Sequence, residues 1–344
     1  MKKLSFFVAT CLVALSANAA VVTLNPGDNI NDAIRSAAAG DVIELTTGAY
    51  NLTETVKLTN ALTLKAATDA QPVVNIHRIE PNAEFAAQDI EFVGDGSSHI
   101  FRTTTGGDFS LRFDRCTFKN AGANTMIYLS SGQSLNTLSV TDCILDGSTY
   151  AEYGGINLYG TAKAFVFKNN TVLNISGRGA INIKNTASIT IDHCTFYNNG
   201  PRPIKVETSD NYALVSNCVI SNPDGVDIEA KEYCISVYNG AVGNCVYYNT
   251  QAPRSSAETT DVVNADPQFI APENGNFNFA PTSPLAGKAT DGTNIGDPRW
   301  KAEGGETALS ATLSNTPAEK RIENGQVVII RAGVRYNTLG TMVK

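Results

Sequence analysis

The sequence predicts a right-handed parallel β-helix, opened by an N-terminal capping helix and followed by a small C-terminal β module. Three observations carry this. A phrase recurs at nearly fixed spacing: LRFDRCTFKN (111–120), LSVTDCILDG (138–147), FVFKNNTVLN (165–174), ITIDHCTFYN (189–198), ALVSNCVISN (213–222) and AVGNCVYYNT (241–250). Its key positions, Cys116, Cys143, Asn170, Cys194, Cys218 and Cys245, lie 27, 27, 24, 24 and 27 residues apart, and Ile90 fills the same slot one step earlier. Each unit also holds short segments that alternate apolar and polar residues, which is a strand period. Finally, a unit this short cannot bury its own apolar face, so neighbouring units must stack to make a core.

The elements follow in chain order. Residues 1–19 read as a secretory signal: Lys2 and Lys3, an apolar run over 4–15, then Ala17-Asn18-Ala19 as a small-residue cleavage motif. That run is too short to span a bilayer, which needs about 20 residues. The chain is expected to be secreted, at the cell surface or periplasmic, and not an integral membrane protein. Residues 25–40 place Ile30, Ala33, Ile34 and Ala37 on one helical face, with Asp28 or Asn29 as the N-cap and Gly40 at the end. Such a helix would cover the open end of the solenoid, where core and strand edges are otherwise bare. The β-helix domain is expected over 20–302. Its first rung runs through 41–45, 56–58, 62–65 and 73–76. Within it, the Pro-, Gly- and Asn-rich residues 251–302 are expected to close the C-terminal end, with Phe269, Phe277, Phe279, Leu285 and Trp300 as plugs. A polar linker is expected over 303–320 and the β module over 321–344, too small to be stable alone.

The Cys/Asn slot reads as a column of small residues at a bend. Export permits disulfides, but stacked side chains keep parallel Cβ vectors near 4.8 Å apart, beyond the roughly 3.5–4.5 Å of a bridge. Buried free thiols are expected. No CxxC or clustered His suggests a metal. The loop Asp224-Gly-Val-Asp227-Ile-Glu229 offers oxygens that suit Ca²⁺, though an acidic loop without metal is the simpler reading, and no cofactor is expected. The formal net charge is −7, near −9 once Lys2 and Lys3 leave, which excludes a basic nucleic-acid footprint.

The repeat, together with the opening INDAIRSAAAGDVIELTTGAY, resembles the pectate-lyase-like right-handed parallel β-helix superfamily. The stretch ADPQF…NGNFNF…SPLAGKATDG…GDPRW is similar to the closure of exported β-helix proteins from Bacteroidetes. The tail ENGQVVIIRAGVRYNTLGTMVK resembles C-terminal modules of exported proteins of that phylum, some of which are sorting signals. Within the superfamily, residues 189–220 look most like chondroitinase-B-like and alginate lyases. Those enzymes carry a Lys base on a strand resembling ISVKSSDN and an Arg-His pair one rung later. Here that Lys slot holds Glu207, with Lys205 two residues earlier, and the next strand, Ile235-Ser236-Val237-Tyr238-Asn239-Gly240, has no Arg-His pair.

A second strand set precedes the Cys slots. Alternation turns Ile127/Leu129, Ile156/Leu158, Ile181/Ile183, Ile204/Val206 and Ile235/Val237 inward. It leaves two outward columns, Tyr128, Asn157, Asn182, Lys205, Ser236 and Ser130, Tyr159, Lys184, Glu207, Tyr238. Tyr, amides and charges together suit a sugar ring and its hydroxyls. Arg178, Lys184, Arg202 and Lys205 add a basic patch to an acidic chain. The same composition also fits an ordinary solvated strand face. The leading expectation is a polysaccharide-interacting protein, uronate-containing glycans included, with Tyr128, Asn157, Tyr159, Asn182, Lys184, Glu207 and Tyr238 as ligand-binding residues. The enzyme alternative is a polysaccharide lyase with Lys205 as base and Arg202 or Arg178 neutralising a uronate carboxylate. The third reading is a surface structural or adhesion protein. Glu207 with Asp210 is a thin hydrolase pair, and His193 reads as a turn residue.

Overall fold

A computed structural model describes residues 19–303 except 148–153, 178, 208–209, 211 and 255, together with the backbone of 319–323, 326–331 and 334–336. The expected signal segment, Arg178, most of the expected linker and the last residues of the tail lie outside the described residues.

The chain winds into a β-solenoid of about nine turns built almost wholly from parallel strands. Each full turn has three strand positions. One ladder begins at Val21–Leu24 and passes through Asp41–Leu45, Leu62–Ala66, Phe85–Gln88, Ser110–Asp114 and Ser134–Thr141. It continues through Ile156–Lys168, Ile181–Asp192, Tyr212–Ser216 and Gly240–Tyr248 to Glu258–Asn264. A second ladder carries the short strands after the bend, such as Thr117–Lys119, Ile144–Asp146, Thr171–Leu173 and Thr195–Tyr197. The third stacks Phe101–Thr103, Ile127–Leu129 and the starts of Ile156–Lys168 and Ile181–Asp192, then Ile204–Val206 and Ile235–Ser236.

The recurring phrase is explained by its bend. The residue before each slot has left-handed backbone: Asp89, Arg115, Asp142, Asn169, His193, Asn217 and Asn244 have φ between 48° and 58°. Asn and Asp enter this region more readily than other side-chain-bearing residues, which is why the phrase carries them. His193 is thus a turn residue, as expected. The slot behind it is buried throughout. Cys116, Cys143, Cys194, Cys218 and Cys245 each point Sγ at the carbonyl two residues earlier, at 3.0–3.4 Å. Asn170 substitutes by accepting from the Cys143 amide at 2.7 Å and donating to the Val140 carbonyl at 2.9 Å. All six described cysteines are free and buried, and burial pushes the Cys143, Cys218 and Cys234 thiols up. Titration of the chain lacking residues 1–19, in denaturant without reductant, is expected to count six thiols; a count of zero would contradict this packing.

The inward side chains make one continuous core. In the N-terminal turns Phe85, Phe92, Phe101, Phe113 and Phe118 pack with centroids 4.8–6.1 Å apart, most of them edge to face. The helix is Ile30–Ser36, capped by the Asn29 side chain, which accepts from the Asn31 and Asp32 amides. Ile30 and Ile34 are buried, with Ala33 and Ala37 packed against the core. Ala37 is already extended, so the helix stops before Gly40.

The closing segment differs from expectation. Pro284–Trp300 belongs to the solenoid unit, but it runs as a strap along the bends and does not plug the end. The Asn244 amide donates to the Lys288 carbonyl, Asn217 pairs with Thr290 and His193 with Thr293. Asp297 accepts from Thr171, and Arg299 reaches the carbonyls of Asp142, Cys143 and Asn169. Trp300 donates to Thr171 Oγ1 at 2.8 Å. The reason is the bend column itself: every turn there exposes polar groups that a polar strap can satisfy. The second unit comprises Gln268–Ser283 and Lys301–Lys344. It holds the antiparallel pair Phe269–Ala271 and Asn276–Phe279, and a three-stranded antiparallel sheet of Glu319–Glu323, Gln326–Arg331 and Val334–Tyr336. The first of these three strands begins inside the expected linker.

Candidate functional site

The third ladder carries the expected outward columns, and its register aligns them. Arg102, Tyr128, Asn157, Asn182, Lys205 and Ser236 are successive partners. The column is not open along its length. Asn157, Asn182 and Ser236 are 2%, 1% and 3% exposed. The Asn157 amide donates to Thr125 Oγ1 at 3.1 Å, and the Asn182 amide meets the Tyr159 hydroxyl at 3.3 Å. These two amides brace the face from beneath, whereas the sequence reading had them meet ligand directly. The cause is the second column: its longer side chains fold back across the first.

The long side chains interlock. Tyr128 and Tyr159 meet edge to face at 5.7 Å. Lys184 Nζ sits 4.4 Å above the Tyr159 ring and 3.4 Å from Glu207 Oε2. Lys205 Nζ donates to Glu207 Oε1 at 2.7 Å. Burial pushes the Glu207 carboxyl up, but the hydrogen bond and charge of Lys205, then Lys184 and the Asn182 amide, outweigh it, and the net shift is downward. Glu207 is therefore a carboxylate at neutral pH, bridging two ammonium groups. Arg202 donates to Glu232 Oε1 at 2.6 Å. At Tyr238 the Arg254 guanidinium lies 3.8 Å from the ring centroid, and 5.6 Å from that of Tyr233. Arg202, Lys205, Glu207, Glu232, Tyr233, Ser236, Tyr238 and Arg254 line a pocket of about 250 Å³. A larger groove of about 430 Å³ lies over Glu44, Lys65, Asp69 and Asp89, but no aromatic ring lines it.

Five residues of this strip were not singled out from the sequence: His99, Arg102, Glu232, Tyr233 and Arg254. His99 stacks on Tyr128 at 4.5 Å with rings 4° from parallel, and Arg102 approaches the same ring at 5.8 Å. The Thr125 amide donates to His99 Nδ1 at 3.0 Å. Burial, then the charge of Arg102, lowers His99 from 6.5 to about 4. The unfolded chain then binds a proton that the folded chain refuses, so His99 favours folding above pH 6.5 and that contribution is lost as pH falls from 6.5 towards 4. His99→Gln is expected to flatten the urea midpoint against pH in that window; an unchanged slope would contradict the buried neutral ring.

Among the described residues, no group of three His, Cys, Asp or Glu side chains is placed to hold a metal ion. In the acidic loop, Asp227 Oδ1 accepts from the amides of Glu229 and Ala230, and Asp224 Oδ1 accepts from Tyr248 and Asn249. Among the described residues no helix is long and apolar enough to cross a membrane.

What the fold and this strip define is a parallel β-helix with an aromatic and cationic ladder on one face. Two family models match it, both described as domains of unknown function: DUF4957 over residues 48–175 and DUF5123 over 189–300. The ladders run unbroken across the gap between them, since Ile181–Asp192 pairs with strands on both sides. No protein of curated function matches. Among solved structures, the PL6 family alginate lyase AlyGC is similar at 16% identity and TM-score 0.43 over 76% of this chain. The chain spans about two fifths of that lyase, 41% of its length. The pectin methylesterase from Aspergillus niger is similar at 14% identity and TM-score 0.37, over 73% of this chain and 87% of its own. The fold itself is read from the ladders, which make a parallel β-solenoid.

Proposed function

We propose that this protein acts outside the cytoplasm, after loss of residues 1–19, as a binder of acidic polysaccharide along the ladder from Tyr128 to Tyr238. One observation carries the reading. Among the described residues between these tyrosines, Lys184, Arg202, Lys205 and Arg254 gather with Glu207 and Glu232 as their carboxylate partners, a local positive strip on a chain of net charge −7. Such a strip attracts an anionic polymer that the whole protein would repel, and the ring edges and hydroxyls of the tyrosines suit sugar. The two polysaccharide-acting structures named above share only its fold.

Binding is favoured over β-elimination by the same geometry. A lyase base must be a neutral amine before it takes a proton. Lys205 Nζ instead donates to the Glu207 carboxylate at 2.7 Å and stands in an ion pair. Arg202, one of the two arginines expected to neutralise a uronate, pairs with Glu232; the other, Arg178, lies outside the described residues. The test is retention on gels carrying polygalacturonate or dextran sulfate, with ultraviolet absorbance of unsaturated ends followed in parallel. Retention that weakens with salt and yields no absorbance is expected. Unsaturated product, abolished by Lys205→Ala, would establish the lyase instead. No retention by any acidic polymer would overturn the binding reading.

A further inference from the structure

The geometry points to recognition of a chain end: the ladder terminates in a pocket that takes the terminal, anionic sugar of the polysaccharide. This rests on the binding reading of the preceding subsection and adds where on the polymer the protein sits. Towards the N-terminus the third ladder continues past Phe101 to Ile79 and then Val56, whereas it stops at its other end. Its last rung is not a repeat strand; it is formed by residues 251–254. Tyr233 bridges Gln251, the Cys234 amide donates to the Gln251 carbonyl, and the Arg254 amide donates to the Ile235 carbonyl. From that rung the Arg254 side chain turns back over Tyr238, held by Ser256 Oγ at 3.0 Å, and Ser256 in turn donates to the Val237 carbonyl. Arg254 therefore stands across the line that a continuing glycan would take.

The side wall is an insertion. Ile204 and Ile235 are 31 residues apart, whereas the preceding steps of this ladder are 29, 25 and 23. The extra length carries Lys231, which donates to the Asn199 carbonyl at 3.1 Å, and Glu232, whose amide donates to the Pro201 carbonyl and whose carboxylate holds Arg202. Tyr233 follows, 42% exposed. The pocket is open to solvent and small, about 250 Å³, below the roughly 300–1,000 Å³ of pockets for drug-sized ligands, a size that suits one sugar ring. Arg202 and Lys205 line it paired with Glu232 and Glu207, and Arg254 adds a third cation held by the Ser256 hydroxyl, so among the described lining residues the pocket carries one excess positive charge. A planar guanidinium and an ammonium together suit a carboxylate or a sulfate ester, and the two tyrosines supply the apolar walls.

The test compares one polymer at several lengths. Polygalacturonate and dextran sulfate are each partly hydrolysed, and bound protein is measured per unit mass of polymer. End recognition predicts capacity rising in proportion to the number of chain ends; the polymer that behaves so identifies the anion as carboxylate or sulfate. Arg254→Gln, with an unchanged unfolding midpoint, is expected to lose about tenfold in affinity for short oligosaccharides, as for loss of one charge-assisted contact, and to lose the length dependence. Capacity independent of length in the wild type would overturn end recognition while leaving ladder binding intact. Wild-type behaviour of Arg254→Gln would overturn the assigned pocket. Absence of binding at every length would overturn the binding reading and this inference with it.

Discussion

Arg299→Ala is expected to destabilise the solenoid by about 3–5 kcal/mol, the range for removing one partner of a buried ion pair. Asp297 is 2% exposed and accepts from Thr171 Oγ1 at 2.7 Å. Its charge is balanced by Arg299, which also spans three backbone carbonyls on successive bends. Removing the guanidinium strands a carboxylate in the packed bend column and cuts the strap from Asp142, Cys143 and Asn169. Urea unfolding measures this, and a loss under about 0.5 kcal/mol, typical of an ordinary surface site, would show that the strap does not support the fold. Adding Asp297→Asn should restore part of the loss, because the buried charge goes with it. The bend column should also weaken in acid. Burial pushes the Asp192 carboxyl up, but Ser216, Asn217 and His193 outweigh it and the net shift is below 3.8. Asp192 thus stabilises the fold above its unfolded value of 3.8, and that contribution is lost as pH falls through the lower folded value.

Tyr159→Ala is expected to weaken binding of acidic polysaccharide by about 1–3 kcal/mol, with base-on-aromatic stacking as the nearest measured analogue. Tyr159 is central: it touches Tyr128, carries Lys184 over its ring and meets the Asn182 amide. Its loss removes a wall and the ring beneath the Lys184 ammonium, so affinity and salt dependence should change together. The fold should survive, since the inward neighbours Leu158 and Ile183 keep the core filled. Isothermal titration with the retained polymer decides it; unchanged affinity would remove Tyr159 from the site.

The rungs were legible because the bend imposes its own residues. Only Asn, Asp and a few others sit readily at φ near 50°, and only a small side chain fits behind them, so Asp142-Cys143 and Asn217-Cys218 announce the turn without any long-range information. The outward columns were legible for the same reason, since stacked strands with matched inward Ile cannot slip register. Arg102 and His99 were readable in principle. Phe101 pairs with Ile127 at a spacing of 26 and with Ile79 on its other side, so the strand set extends more than one rung before Ile127. Arg254 was not readable. Its rung comes from a segment outside the repeat, and nothing in 251–254 marks it as a strand partner of 233–235. The burial of Asn157 and Asn182 was hidden too, because alternation tells which way a side chain leaves the strand and not what later folds over it. For 284–300 the expected plug gives way to a strap, because its polar groups, Asp297 and Arg299 above all, set its course along the bends, where Trp300 also bonds Thr171.

The central claim is that the ladder from Tyr128 to Tyr238 meets the polysaccharide, and oxidative footprinting of tyrosines tests it most directly. Tyr238, 43% exposed, lies at the pocket, while Tyr212, 52% exposed, stands on a different ladder of the same solenoid and serves as an internal control. The account predicts that saturating acidic polysaccharide protects Tyr128, Tyr159 and Tyr238 and leaves Tyr212 as reactive as in the free protein. Protection of Tyr212 with the three ladder tyrosines unchanged would contradict it.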